Sequence, residues 1–324
     1  MKSVKVVVDQ LLNSEDPSIR YKVRRHFLDH DPDSAEIRKL RLEIKESPRV
    51  RKMLSERDER DRIPYNPYAK WYGSHWVLAQ LADIGYPPGD ETLIPMGEQV
   101  LDWLLGEKHW KTIKTINGRT RRCASQEGNA LYALLSLGLA DERADELASR
   151  LVGWQWSDGG WNCDTNPDAV NSSFHESLIP LRGLALHAKL TGNENSKRAT
   201  ERTAEIFLKR SLFRRERGGQ IIHSEFKKFH YPPYWHYDVL FGLKVLAEVG
   251  FIGDPRCQEA LDLLESKQLP DGGWPAEKKY YRVTDKKGLG RSLVNWGGTS
   301  KLRMNEWVTA DGLFVLKAAG RLSL

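Results

Sequence analysis

Two of the three cysteines of this 324-residue chain, Cys123 and Cys163, stand just ahead of apolar helical stripes, and His175 opens the second of those stripes. Thiolate and imidazole are the ligands zinc prefers, and three protein ligands leave one position of a tetrahedral ion open to substrate. The spacing is no local C-x-x-C, so only a fold that sets neighbouring loops side by side can join the three. The plain alternative is two ordinary buried thiols and a helix-end histidine. Cys257 lies within an outer helix expected over 254–266 and reads as core.

Further polar groups recur at the heads of the stripes: His75, Gln126 and Glu127, Asp164 and Glu176, His236 and Asp238, Asn305 and Glu306. Packing alone would place apolar side chains there, so the set marks either a cavity mouth or a ring of helix N-caps. Glu127, Asp164, His236 and Asp238 have the chemistry of proton transfer, with Asp238 a candidate orienter of His236. Arg119 and Arg122, with Arg121 between them, form a cationic cluster beside Cys123. It suits an anionic group or is a solvated basic loop. The segment Phe229-His-Tyr-Pro-Pro-Tyr-Trp-His-Tyr-Asp238 is dense in rings. Tyr234, Trp235 and Tyr237 would wall a pocket and steady a carbocation by about 0.5–2 kcal/mol each, or simply pack a long loop. His75, Trp76 and Glu306 complete the candidate substrate contacts.

The elements that must position these residues are helices. Stripes with apolar residues at i, i+3, i+4 and i+7 run over 74–84, 129–138, 174–190, 237–249 and 306–319, and four stop beside Gly85, Gly138, Gly250 and Gly320. No strand alternation is longer than a few residues, so the fold class is all-α. Asp16-Pro17-Ser18 starts one N-terminal helix, Asp33 or Ser34 caps another over 35–47, and 51–62 is a charge-dense helix or linker. The turn Gln155-Trp-Ser-Asp-Gly-Gly-Trp161 returns 113 residues later as Gln268-Leu-Pro-Asp-Gly-Gly-Trp274. Its Gln and Trp read as glue between repeats. Stripe starts are spaced by about 50–70 residues, one helical hairpin and a loop each. Five or six hairpins would close into an α/α toroid over 61–324, with the helices of 1–60 packing on it.

Composition bounds the rest. With 40% hydrophobic and 29% charged residues the chain is globular. A net charge of +6 over this length is a mild surface property and points to no nucleic-acid partner. No apolar run approaches a membrane span, so no integral membrane segment is expected. The first residues are too short and polar for a secretory signal, and three cysteines are too few for a disulfide framework. The expectation is a reduced, cytoplasmic protein acting on a small-molecule or lipid-like substrate, peripheral to a membrane if that substrate is a lipid. Eleven Trp among 324 residues fit aromatic packing between repeats or an aromatic-lined pocket.

The two Gln-x-x-Asp-Gly-Gly-Trp turns resemble the repeat motif of the squalene-hopene and oxidosqualene cyclases. That toroid is shared by protein prenyltransferase β subunits and lanthionine-forming peptide cyclases. The resemblance runs from about residue 60 to 320 and implies a bacterial branch of this superfamily. Gly118-Arg-Thr-Arg-Arg-Cys123 is similar to the segment leading into the prenyltransferase zinc cysteine, with His175, 52 residues on, in the place of that family's histidine ligand. The family's Asp ligand is Arg121 here, which leaves Cys163 to replace it. There is no D-x-D-D and no D-D-x-x-D, and Asp164-Thr-Asn-Pro-Asp168 has the wrong spacing, which argues against standard squalene cyclisation. The resemblance thus implies a prenyltransferase or terpenoid cyclase-like enzyme, zinc-assisted through Cys123, Cys163 and His175. A zinc-dependent peptide or small-thiol modifying enzyme and a non-catalytic binding toroid remain the alternatives.

Overall fold

A computed structural model describes residues 3–322. Helix starts follow local capping chemistry. Ser3 caps α1 (Val4–Leu12), and Asp16 with Pro17 starts α2 (Pro17–Lys22), which runs on into a π turn over Val23–Phe27. Ser34 caps α3 (Ala35–Lys45) and Ser47 caps α4 (Pro48–Leu54). After an irregular stretch come α5 (Ser74–Asp83), α6 (Ile94–Leu105), the short α7 (Glu107–Trp110), α8 (Ser125–Ser136) and α9 (Glu142–Trp154). The chain continues through α10 (Phe174–Thr191), α11 (Glu194–Leu208), α12 (Val239–Glu248), α13 (Gln258–Ser266) and α14 (Glu306–Ala318). Among the described residues the strands are two ribbons, β1 (Lys114–Ile116) antiparallel to β2 (Arg119–Arg121) and β3 (Arg282–Val283) parallel to β4 (Arg291–Ser292). The protein is mostly helical, in keeping with the all-α expectation.

The striped helices pack in chain order: α5 on α8, α8 on α10, α10 on α12 and α12 on α14. α14 then packs on α2 and its π turn, and Lys22 at the end of α2 lies 3.1 Å from Asp83 at the end of α5. α3, α6, α9, α11 and α13 each pack on the helix of this series that precedes them. Burial separates the two sets. Eight of the ten residues of α12 are buried, against five of the thirteen of α9, which hides only one face.

The two repeated turns are built alike. Trp161 and Trp274 are fully buried, and their indole N–H groups donate to the carbonyls of Leu151 and Leu264, at 2.9 and 2.7 Å. Their backbone N–H groups donate to Ser177 Oγ at 3.1 Å and Thr309 Oγ1 at 3.0 Å. Gln155 and Gln268 donate back to the carbonyls of Gly159 and Gly272, which hold positive φ of 105° and 89°. Each turn therefore ties the end of one helix to the start of α10 or α14.

Charge occupies the space between the striped helices. Lys22, Asp83, Lys244 and Asp311 alternate in sign around a buried square, with contacts of 3.1, 2.9, 3.2 and 3.0 Å. Arg182 joins it through Asp83 at 3.2 Å and binds Glu248 at 2.5 Å, while the Tyr231 hydroxyl donates to Asp83 at 2.8 Å. The cavity beside this network, lined by Trp76, Asp83, Arg182, Tyr231, Tyr234 and Phe241 among others, measures about 30 Å³. That admits a water or two.

Candidate metal centre

Two backbone devices bring the cysteine loops together. Arg122 N–H donates to the Asn162 carbonyl at 3.1 Å, which lays the strand before Cys123 along the loop before Cys163. Gly128 of α8 and Gly183 of α10 let their helices touch. A Cβ on Gly128 would come within 2.6 Å of the Pro180 backbone nitrogen, and one on Gly183 within 2.6 Å of the Gly128 carbonyl. Pro180 also has no N–H to give the carbonyl of Glu176, four residues earlier in α10. The head of α10 thus abuts the head of α8, and Ser125 N–H donates to Glu176 Oε2 at 3.0 Å.

The outcome is a cluster of Cys123, Cys163 and Glu176 whose ligand atoms all lie within 4.8 Å of one another. Cys163 Sγ is 3.7 Å from Glu176 Oε1. The thiols are half-buried and the carboxylate is buried. Tetrahedral zinc with bonds of about 2.0–2.3 Å needs its donors about 3.5–4 Å apart, so this set fits the ion with little adjustment and leaves a fourth position. The hydrogen bond from the Cys163 thiol holds the Cys123 thiol below its ordinary pKa against the effect of burial, and the same bond pushes Cys163 up. Burial raises Glu176, partly offset by the Ser125 N–H and hydroxyl.

The third member of the cluster is Glu176, and the expectation that His175 joins the two cysteines is corrected. His175 precedes Glu176 on α10 and points toward α12. Its Nδ1 accepts the Tyr237 N–H at 2.9 Å, and its ring packs against Phe226 and Trp235 with centroids 5.6 and 5.5 Å away. Burial lowers it to about 4, so it stays neutral. One residue along a helix is a rotation of about 100°, and the apolar stripe alone does not fix which of two adjacent polar residues faces α8.

Several other expected roles change. Glu127 is fully buried and accepts from Arg122 Nε at 2.8 Å and Nη2 at 2.6 Å, with His109 Nε2 at 3.3 Å. Arg122 is consequently spent on an internal ion pair and is no free anion donor, while the second oxygen of Glu127 has no partner. Arg121 and Arg119 lie over the Trp156 ring, at 4.6 and 5.7 Å. Asp238 does not orient His236. It caps α12 through Phe241 N–H at 2.8 Å and accepts His230 N–H at 3.0 Å. His236 lies between Trp235 and Tyr280, ring centroids 4.0 and 3.4 Å away, and burial drives it down to about 2, too weak a base for proton transfer near neutral pH. Asp164 is exposed in a run of turns where Asn162, Asp164 and Asn166 each accept the N–H two residues on.

The expected pocket wall is largely core. His75 is buried with neither ring nitrogen partnered, among Tyr68, Trp76 and Trp103, and burial lowers it to about 3. Trp76 donates to the Tyr68 carbonyl. Tyr234 stacks on Trp71 at 3.9 Å, and the Tyr237 hydroxyl donates to the Leu212 carbonyl at 2.6 Å. Glu306 accepts from Ser14 at 2.9 Å. Trp235 stays half-buried and faces the Lys70 ammonium at 5.0 Å.

Lys70 and Tyr68 escaped the sequence reading. The charges of Cys123 and Glu176 act on both, although burial is the larger influence, lowering Lys70 and raising Tyr68. They precede the first stripe in a segment without periodicity, so no pattern pointed to them. The repeats do carry a signal for Glu176. Ser173 N–H donates to the Trp161 carbonyl as Asn305 N–H does to that of Trp274, which aligns Glu176 with Val308 and Cys163 with Ala276. The cluster residues thus depart from the repeat, whose matching positions are apolar. A larger cavity of about 580 Å³ lies at the other end of these helices, beside Tyr132, Lys189, Lys197 and Glu248, and touches none of the three ligands.

No protein-family model matches the chain, and no curated protein is significantly similar to it. No helix among the described residues is long and apolar enough to cross a membrane.

Proposed function

We propose that this protein is a zinc-dependent enzyme that modifies a substrate thiol at the rim of an α/α toroid. The observation carrying the reading is the convergence of Cys123, Cys163 and Glu176, from two loops and a helix head, on a space one ion can fill. The toroid rests on the cyclic packing of α2, α5, α8, α10, α12 and α14, with α3, α6, α9, α11 and α13 outside. In this arrangement α2 and α3 belong to the ring itself.

Zinc held there supplies a Lewis acid that lowers the pKa of a thiol taking its fourth position. Ser125 N–H fixes the Glu176 carboxylate, and the Arg122–Glu127 pair fixes the chain immediately before Cys123. Lys70 offers positive charge beside two thiolates and a carboxylate, which together outweigh a divalent ion by one negative charge. A prenyltransferase-like reaction needs space for an isoprenoid chain. The roughly 30 Å³ beside the central charges does not provide it, which favours thiol modification of a substrate held outside the ring.

The test is metal content and cobalt spectroscopy. The purified protein should hold about one zinc, and its cobalt form should show thiolate charge-transfer absorption. Cys123→Ser, Cys163→Ser and Glu176→Gln should each lower metal occupancy, and His175→Ala should keep it. A correctly folded wild type that binds neither ion defeats the proposal.

A further inference from the structure

The connection between α13 and α14 carries a surface that the metal centre does not use. The two most exposed large apolar residues among those described are Leu302, at 83%, and Leu289, at 75%, and both lie in this one segment with Val283 at 53%. Interspersed with them are the exposed cations Lys279, Arg282, Lys286, Lys287, Lys301 and Arg303, none of which has a carboxylate partner among the described residues. The only acid in the stretch 278–304 is Asp285, which is paired with Lys52.

The segment is anchored at its root. Tyr281 donates to the Gly297 carbonyl at 2.7 Å, and Arg282 N–H donates to that of Gly290 at 2.7 Å. Trp71 donates through its backbone N–H to the Arg291 carbonyl at 2.8 Å and through its indole to that of Tyr280 at 2.7 Å.

Exposed leucines gain by leaving water, and a run of cations without carboxylate partners attracts anions. An anionic lipid surface answers both, since headgroups attract the cations while apolar side chains enter the acyl boundary. A nucleic acid would take the charges and leave the leucines wet. We infer that the 279–303 segment docks the protein on anionic membrane surfaces.

Co-sedimentation of the full chain with vesicles tests this. Vesicles of phosphatidylcholine with about 30% phosphatidylglycerol should bind the protein at least about tenfold more tightly than phosphatidylcholine alone, and raising salt from about 0.05 to 0.5 M should remove most of the difference. Leu289→Ser/Leu302→Ser and Lys286→Glu/Lys287→Glu should each weaken binding about tenfold. Lys108→Glu/Lys111→Glu, which changes the same charge elsewhere, should not. All of these residues are exposed, so circular dichroism should be unchanged. Equal binding to both vesicle types, equal loss in the control variant, or a loss confined to binding of a DNA oligonucleotide overturns the inference. None of these readouts depends on metal content.

Discussion

Replacing Asp83 by Asn separates a filled centre from one open to substrate. Asp83 meets Lys22 at 3.1 Å, Lys244 at 2.9 Å and Arg182 at 3.2 Å, and accepts the Tyr231 hydroxyl at 2.8 Å. Burial alone would push its carboxyl up, but these cations hold it well below the usual carboxylate range, so it is ionised at neutral pH. With Asp311 and Glu248 the network balances three anions against three cations. Asn keeps the shape and removes one anion, leaving a buried net positive charge. Breaking a buried pair in this way costs about 3–5 kcal/mol, a large part of a typical stability of about 5–15 kcal/mol. In a chain of this size that lowers the melting temperature by roughly 5–10 °C. Calorimetry and urea unfolding would measure it. Adding Lys244→Met restores neutrality, so the double variant should be less destabilised than the sum of the singles. A change below about 1 kcal/mol in Asp83→Asn would mean that water screens the network. The centre would then be wide enough for substrate, and the case against an internal isoprenoid chain would collapse.

Two further outcomes follow from buried groups near the rim. His75 is 1% exposed and lowered by burial to about 3, so it is neutral in the folded protein while the unfolded chain protonates near 6.5. The unfolded state binds the extra proton between those values. Stability is therefore full above about pH 6.5 and falls by about 1.4 kcal/mol per pH unit below it from this residue, with His236 acting in the same direction. His75→Phe should flatten the slope of unfolding free energy against pH between about 6 and 4 by close to one proton; an unchanged slope counts against the burial assigned to it. Gly128→Ala would place a methyl 2.6 Å from the Pro180 nitrogen, forcing α8 and α10 apart at a cost of about 1–3 kcal/mol. It should also weaken zinc binding by separating Cys123 from Glu176, and a variant with wild-type urea midpoint and metal affinity would refute that link.

Much of the frame was legible because it is periodic. The stripes at 74–84, 174–190 and 306–319 became α5, α10 and α14, and the Asp16-Pro17 and Ser34 starts became real caps. The repeated turns were legible as helix ties, since the same Gln and Trp flank Asp-Gly-Gly in both copies and each Trp indole holds a helix-end carbonyl. The convergence of Cys123 with Cys163 was also legible, because hairpins of similar length set successive loops side by side. Side-chain direction was not. His175 and Glu176 differ by one helical step, and only the Gly128–Gly183 contact decides which of them meets α8. The partners of charged residues were equally hidden. Arg122 reads as an anion donor until Glu127 is seen beside it, and no sequence pattern marked Asp83, Arg182, Lys244 and Asp311 as partners. Their ion pairs join residues up to 289 positions apart, and periodicity carries no information at that range.

The two ends of the striped helices therefore carry different burdens. Toward the C-terminal ends, Asp83, Lys244, Glu248 and the chain through Lys22 lock α2, α5, α10, α12 and α14 to one another through directional charge contacts that apolar packing alone would leave free to slide. At the N-terminal ends the repeated turns supply the same register through Trp161 and Trp274, and the positions one residue before Ser177 and two after Trp161 take no part in those bonds. In the second repeat those positions hold Val308 and Ala276, which are buried and apolar. In the first they hold Glu176 and Cys163. A buried carboxylate costs stability unless something binds it, and the Ser125 N–H and hydroxyl with the Cys163 thiol offset only part of that cost at Glu176, whose pKa burial still raises. A divalent cation shared with Cys123 and Cys163, as the proposed zinc site would supply, would offset the rest of that cost.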